Sequence, residues 1–374
     1  MDLQSIRAGF PILERSNYLN SCSLGALSHR AVARVTEFQE EWHTYGASAW
    51  YEIWMSRLAE LRSRMERFFN APAGTIALEP STSVALAAIA STADYGKRNR
   101  VVVADLDFPT IAYAWMMRPG VEVVRVPSDD GVTVEPARVA EYVDDRTAFL
   151  ATSHVFFTTG AIQDAARLAQ IAHDAGARFI LDAYQSAGQI PIDVQALGVD
   201  VMTAGPLKWL CGGPGLAYLY VKPELIAEMT PALAGWFGAR DQFAFDIKTF
   251  EYKDDARRFE LGTPALPSVH AALGAQEVID GIGIAAIRER NAALTERLIT
   301  RAAAAGLSLR IASQAADRSA IVMIEHADPK GAVDALADAG IIVDWRPGFV
   351  RVSPHFYNTE DEVDSAIDAM VART

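Results

Sequence analysis

Lys208 is one of only six lysines, and it lies in the stretch VMTAGPLKWLCGGPG (residues 201–215) with apolar and glycine neighbours on both sides. The other five, Lys97, Lys222, Lys248, Lys253 and Lys330, sit in turns or among charged residues. An ammonium in apolar surroundings is costly unless its pKa falls or the nitrogen is used covalently, and a neutral amine attacks an aldehyde to form an imine. The competing role is a lysine that snorkels from a strand end into water.

Asp182 stands 26 positions upstream and closes the apolar run Phe179-Ile180-Leu181. Ligands of parallel α/β sheets bind beyond the carboxyl ends of the strands. A carboxylate there can pair with a pyridinium nitrogen, the partner that turns a pyridoxal ring into an electron sink. Without a ligand, Asp182 would cap the next turn. A carboxylate and a lysine each closing its own strand favour the cofactor role.

Four further groupings fit that chemistry. Pro80-Ser81-Thr82-Ser83 precedes the apolar stretch Val84 to Ala93, and a helix start with hydroxyls and free N–H groups binds phosphate, although it also describes an ordinary cap. Phe108, in Asp107-Phe108-Pro109-Thr110, follows a strand-like run where an aromatic can cover a flat ring or simply fill core. Gln185 is three residues past Asp182 and suits either a ring substituent or a turn. Arg351 and Arg346 offer guanidinium forks for a carboxylate, and one of the two can be a surface ion pair.

The order and spacing of these pieces, from Asn17-Tyr18-Leu19-Asn20 to the segment FVRVSPHFYN (residues 349–358), resemble the class V aminotransferase family of fold type I pyridoxal phosphate enzymes. Kynureninases, cysteine desulfurases and isopenicillin N epimerase-like proteins belong to it. The resemblance implies that Lys208 forms the imine with pyridoxal 5'-phosphate, that Asp182 faces the ring nitrogen, and that Ser81 and Thr82 hold the phosphate. It implies that Phe108 stacks on the ring, as in kynureninase-like members, and that Gln185 lies near the ring hydroxyl. Trp236 and Thr263 match positions that reach across a symmetric dimer to the neighbour's phosphate, and Arg351 matches the arginine that grips the substrate α-carboxylate. Asn20, with Tyr18, Ser23, His43, Trp50 and Tyr51, is expected to shape the substrate side.

Two departures stand out. The residue before the lysine is usually histidine or tyrosine, and here it is Leu207, so one contact is missing or supplied elsewhere. The mobile-loop cysteine of desulfurases has no counterpart, since Cys22 is near the N-terminus and Cys211 is three residues past Lys208.

The elements that must carry these residues can be placed by periodicity. Short β-rich runs at Val101 to Ala104, Val121 to Val126, Ala148 to His154, Phe179 to Leu181, Val201 to Ala204 and Leu216 to Val221 alternate with helical stretches such as Ala161 to Ala175. That βαβ rhythm predicts an α/β fold with a mostly parallel sheet covered by helices on both faces, seven-stranded as the resemblance implies. After Gly262-Thr263-Pro264 the pattern predicts a long helical stretch from Ser268 to Ala305. Strands come next near Leu307 to Ile311, Ile321 to Glu325, Ile341 to Val343 and Val350 to Val352, then a final helix over Thr359 to Val371 capped by Thr359 with Glu362. The expected organisation is an N-terminal segment (1–45) beside the small domain, a large cofactor domain (46–265) and a small α+β domain (266–374).

Composition bounds the remainder. With 51% apolar residues in 374, a sizeable core is available, and two cysteines are too few for a disulfide framework and lack zinc spacing, so no metal is expected. A net charge of −13 without a basic stripe argues against a nucleic-acid partner. Asp2, Arg7, Glu14 and Arg15 interrupt the N-terminus, so neither a signal peptide nor a membrane span is indicated and a cytoplasmic enzyme is expected. The expected reaction starts with α-proton removal from an amino acid and ends in cleavage at the β-carbon. Transamination and epimerisation are the alternatives, and a non-catalytic scaffold is disfavoured because Asp182, Gln185, Lys208 and Arg351 are all present.

Overall fold

The computed structural model describes residues Asp2 to Ala372. Strands in chain order are β1 (Asn17–Tyr18), β2 (Ile76–Glu79), β3 (Arg100–Ala104), β4 (Glu122–Val126), β5 (Thr147–Ser153), β6 (Arg178–Asp182), β7 (Val201–Ala204), β8 (Ala217–Val221), β9 (Leu309–Arg310), β10 (Val322–Glu325), β11 (Ile341–Ile342), β12 (Asp344–Arg346) and β13 (Phe349–Val352). The large sheet has seven strands in the order β2-β8-β7-β6-β5-β3-β4, and only β8 opposes the common direction.

The central strands are apolar almost without interruption because helices cover both faces. Successive side chains still part to opposite sides. Val101, Val103, Ile180 and Val201 pack with Leu86, Ile89 and Trp115, whereas Val102, Phe179, Leu181 and Met202 pack with Leu58, Leu168 and Ile171. Edge strand β4 carries Glu122 and Arg125, and charges on an edge discourage pairing with other chains.

Strand order places the binding crevice. The chain leaves β3 for β4 on one side, and leaves β5 for β6 on the other, so β3 and β5 are neighbours whose connections diverge. Ligands of doubly wound sheets settle at such a switch point, past the carboxyl ends.

The second sheet is antiparallel, in the order β12-β13-β10-β9, over a core that includes Leu294, Leu298, Val322, Val350 and Ile367. The predicted helical stretch is two helices, Leu266–Ile282 and Ile284–Ala304, broken at Gly283, whose φ of +86° no helix accommodates. The final helix, Glu360–Val371, begins with the predicted capping box between Thr359 and Glu362. The predicted helix from Ala161 starts later, at Ala165, because Ala161 and Ile162 make isolated bridges and Asp164 caps the helix through the Arg167 N–H.

The N-terminal residues tie the sheets together. β1 pairs in parallel with β11, Asn20 bridges Ser353, and the Ser21 and Tyr357 hydroxyls lie 2.6 Å apart. The helix His29–Tyr45 lies against Leu266–Ile282 so closely that a Cβ on Gly274 would sit 2.6 Å from the Arg30 carbonyl oxygen. Among the described residues, no helix is long and apolar enough to cross a membrane.

Candidate active site

A cavity of about 240 Å³ opens at the switch point. Its walls are built from residues at or just past strand ends: Ser81, Thr82 and Ser83 after β2, Phe108 and Thr110 after β3, Ser153, Val155 and Phe157 at the end of β5, Asp182, Tyr184 and Gln185 at the end of β6, and Leu207 and Lys208 after β7. Six sequence-predicted residues therefore meet here: Ser81, Thr82, Phe108, Asp182, Gln185 and Lys208.

Lys208 Nζ faces aromatic rings, 5.0 Å from the centroid of Tyr184 and 5.8 Å from that of Phe108. Burial draws its pKa down to about 8, with Arg351 and Arg346 adding to the fall and Cys22 and Asp182 opposing it. The backbone around it is held by close approach. Gly25 donates its N–H to the Leu207 carbonyl at 2.9 Å, and a Cβ on Gly25 would lie 2.0 Å from the Lys208 carbonyl oxygen. Gly205 leaves room for the Tyr184 ring, which a Cβ there would meet at 2.3 Å.

Asp182 is buried, and burial pushes its carboxyl up to about 6 against the opposing Tyr184 N–H, donated to Oδ1 at 2.9 Å, and the nearby Lys208. Phe108 stands at the start of the helix Pro109–Met116, 44% exposed, its ring edge-on to Phe157 at 5.2 Å. Asp107 sets that turn: it accepts from the Ala104 and Ser153 N–H groups and from the Thr152 hydroxyl.

The start of the helix Thr82–Ala90 divides its hydroxyls between two tasks. Ser81 Oγ accepts from the Val84 N–H at 3.3 Å and caps the helix, whereas Thr82 Oγ1 is buried on the cavity wall with no partner among the described residues. An orphaned hydroxyl beside unspent helix N–H groups suits a phosphate. With a carboxylate for a ring nitrogen and an amine for an aldehyde, this donor set fits pyridoxal phosphate.

Gln185 is fixed by both ends of its amide. Its Oε1 accepts from the Trp209 indole at 2.9 Å and its Nε2 donates to the Cys22 carbonyl at 3.1 Å. Behind it, His355 donates from Nε2 to the Trp209 carbonyl at 2.8 Å and accepts at Nδ1 from Asn291 at 3.0 Å. Burial pulls the His355 pKa to about 3, so the ring is neutral and can hold one donor and one acceptor. This chain of contacts links the cavity wall to the helix Ile284–Ala304.

Arg351, Asn20, Trp236 and Thr263 lie outside the cavity lining, as do Tyr18, Ser23, His43, Trp50, Tyr51 and Arg346. Arg351 is behind Phe157, to whose carbonyl it donates at 3.0 Å. Asn20 sits at its bridge to Ser353, one residue from the buried Ser21. Trp236 is 42% exposed and donates its indole N–H to the Gln242 carbonyl, and Thr263 is on the surface. Tyr184, Ser153, Phe157 and Gly25 were not singled out from the sequence. Tyr184 and Ser153 had a usable signal, their position at strand ends; Gly25 had none, because its neighbour in space is 183 positions away.

The family description Aminotransferase class-V matches residues 18–365. An uncharacterized aminotransferase of Bacillus subtilis (strain 168) is 33% identical over 371 residues, covering 99% of this chain and 98% of that one. A kynureninase of Pseudomonas fluorescens is 30% identical over 388 residues, covering 98% and 91%. The solved apo structure of a cysteine desulfurase from Thermococcus onnurineus NA1 superposes with a TM-score of 0.90 at 21% identity, covering 99% of this chain and 97% of that one.

Proposed function

Since the chain belongs to the class V aminotransferase family of fold type I pyridoxal phosphate enzymes, we propose that it acts on an α-amino acid by removing the α-proton at Lys208 and releasing a group from the β-carbon. When bound, the cofactor supplies an aldehyde that condenses with amines and an electron-poor ring that takes up the electron pair left on the α-carbon.

The observation that carries the reading is the state of Lys208. Its amine, drawn to about pKa 8 between two aromatic rings, is available as a nucleophile and as a base near neutral pH. Asp182 is the group to hold a proton on the ring nitrogen, Thr82 and the helix N–H groups to hold the phosphate, and Phe108 to cover the ring. Arg351 is the proposed anchor of the substrate carboxylate, with Asn20 near it. Tyr184 packs its ring beside the Lys208 amine.

Kinship with kynureninases supports cleavage at the β-carbon. Both cysteines are buried, which speaks against a persulfide relay and separates this reading from desulfurase chemistry. The aminotransferase relative favours transamination as the second reading. Holoenzyme offered amino acids bearing sulfur or aryl substituents at the β-carbon should take up water and release the substituent, ammonia and a keto acid without consuming an amino acceptor. Consumption of the acceptor with no released substituent would replace lyase by transaminase.

The same reading includes a homodimer. Trp236 and Thr263 are exposed and away from this chain's own cavity, in a surface where Tyr51, Phe243 and Phe245 are also exposed, and Trp236 stacks on Phe245 at 6.0 Å. Apolar area of that kind marks an interface, and sedimentation of the holoenzyme at twice the monomer mass is the expected result.

A further inference from the structure

Arg351 is already paired with a carboxylate of its own chain. Asp344 faces it directly across the β12–β13 ladder. Arg351 Nη2 donates to Asp344 Oδ2 at 2.6 Å and to Ser23 Oγ at 2.8 Å, Ser23 Oγ donates to the same Oδ2 at 2.7 Å, and Arg346 Nη1 donates to it at 2.9 Å. One carboxylate oxygen thus gathers two guanidiniums and a hydroxyl. Burial alone would raise the Asp344 carboxyl, but the Ser23 hydroxyl and the Arg351 charge outweigh it and hold the group below the usual carboxylate range.

Exposure orders the three charges. The Arg351 side chain is 1% exposed, Asp344 23% and Arg346 30%. Nothing can reach Arg351 Nη2 while Asp344 occupies it, and Arg351 Nε is buried without a partner among the described residues. Arg346 lies on the outer side, 5.9 Å from the centroid of Phe157, a ring of the cavity wall. β12 is a three-residue edge strand held on one side only, so it shifts at less cost in hydrogen bonds than the inner strands β13 and β10.

The geometry points to Asp344 as a resident competitor for the carboxylate site: an incoming substrate carboxylate takes Arg351 Nη2 from Asp344, which stays on Arg346. The charges support the exchange. Two guanidiniums and one carboxylate leave one positive charge unmatched, and a second carboxylate completes two pairs. A ligand without a carboxylate has nothing to displace Asp344 with, so the site resists neutral amines as well as admitting amino acids. Apparent affinity is then the intrinsic affinity reduced by the fraction of molecules in which Arg351 is free.

This inference rests on the reading of Arg351 as the carboxylate anchor, and calorimetric titration of the holoenzyme with propionate separates the two. Propionate carries the carboxylate without an amine to react. Asp344→Asn and the milder Ser23→Ala should each bind propionate more tightly than wild type, Asp344→Asn by about tenfold if Arg351 is free in about a tenth of wild-type molecules. If Asp344 only orients Arg351, both variants bind equally or more weakly, and the competitor role is overturned. Arg351→Ala tests the anchor itself: propionate binding unchanged by that substitution overturns the anchor and the competition with it, whereas lost binding without tightening in the other two overturns the competition alone.

Discussion

The N–H of Gly25 is bonded to the carbonyl of Leu207, and its α-carbon stands so near the next residue that a methyl group there would lie 2.0 Å from the Lys208 carbonyl oxygen. No side chain fits at Gly25 without moving the backbone that aims the lysine. Gly25→Ala should cost about 1–3 kcal/mol of stability, as overpacking does, and shift the absorption band of the bound cofactor. A variant with wild-type stability and spectrum would mean that the two segments separate freely.

Lys208→Ala should abolish turnover while leaving the fold intact. In the wild-type protein, a lysine pKa near 8 means that the free amine grows as pH rises through 8 and is nearly complete at 9. The rate at which apoenzyme takes up pyridoxal phosphate should therefore climb between about pH 7 and 9 and then level off. A rate that keeps climbing beyond pH 10 would describe an ordinary solvated lysine and sink the assignment.

Ser81 and Thr82 are neighbours with different tasks, and substitution separates them. Ser81→Ala removes a helix cap and should lower the stability of apo and holo protein alike, by about 1 kcal/mol. Thr82→Val keeps the shape and removes an unpartnered hydroxyl, so the apoenzyme should be as stable as wild type or slightly more so, with weaker cofactor binding. Equal effects of both changes on cofactor affinity would refute this division.

Glu79, at the end of β2, is 1% exposed, and both of its carboxyl oxygens lack partners among the described residues. Burial, helped by the negative Glu260, raises its pKa from 4.5 to about 9, while Glu260 itself is taken up by Arg62 and the Leu78 N–H. The folded chain keeps this proton at neutral pH and the unfolded chain loses it, so its contribution is complete below 4.5 and falls as pH rises toward 9. At pH 7 the loss is at most about 3 kcal/mol. Glu79→Gln should match wild type near pH 4.5 and gain on it steadily up to pH 9 in thermal melts; a difference that does not change with pH would show that the carboxyl ionises freely.

The position of the candidate site residues at strand ends was legible in the sequence. Lys208 and Asp182 stood out because a polar group that closes an apolar run sits where ligands of parallel sheets bind, and Ser81 and Thr82 because a helix start has a local signature. β2 and β12 went unforeseen. A three-residue edge strand with the sequence Asp-Trp-Arg carries no apolar run to detect, and Ile76–Glu79 resembles any short apolar stretch before a turn. The break at Gly283 was hidden because glycine is tolerated inside helices, and only its positive φ in the folded chain ends this one. Gly25 beside Lys208, and Ser23 on Asp344, depend on contacts between distant segments that no local pattern encodes.

Those distant contacts also make one end of the chain depend on the other. Ser21 meets Tyr357 across 336 positions, Ser23 meets Asp344 across 321, and β1 pairs with β11. Residues 17 to 23 therefore depend for these contacts on residues 341 to 357, while Cys22 and Gly25 also meet Gln185 and Leu207. Removing residues 341 to 374 would spare every strand of the seven-stranded sheet and leave Asn17 to Ser23 without these partners.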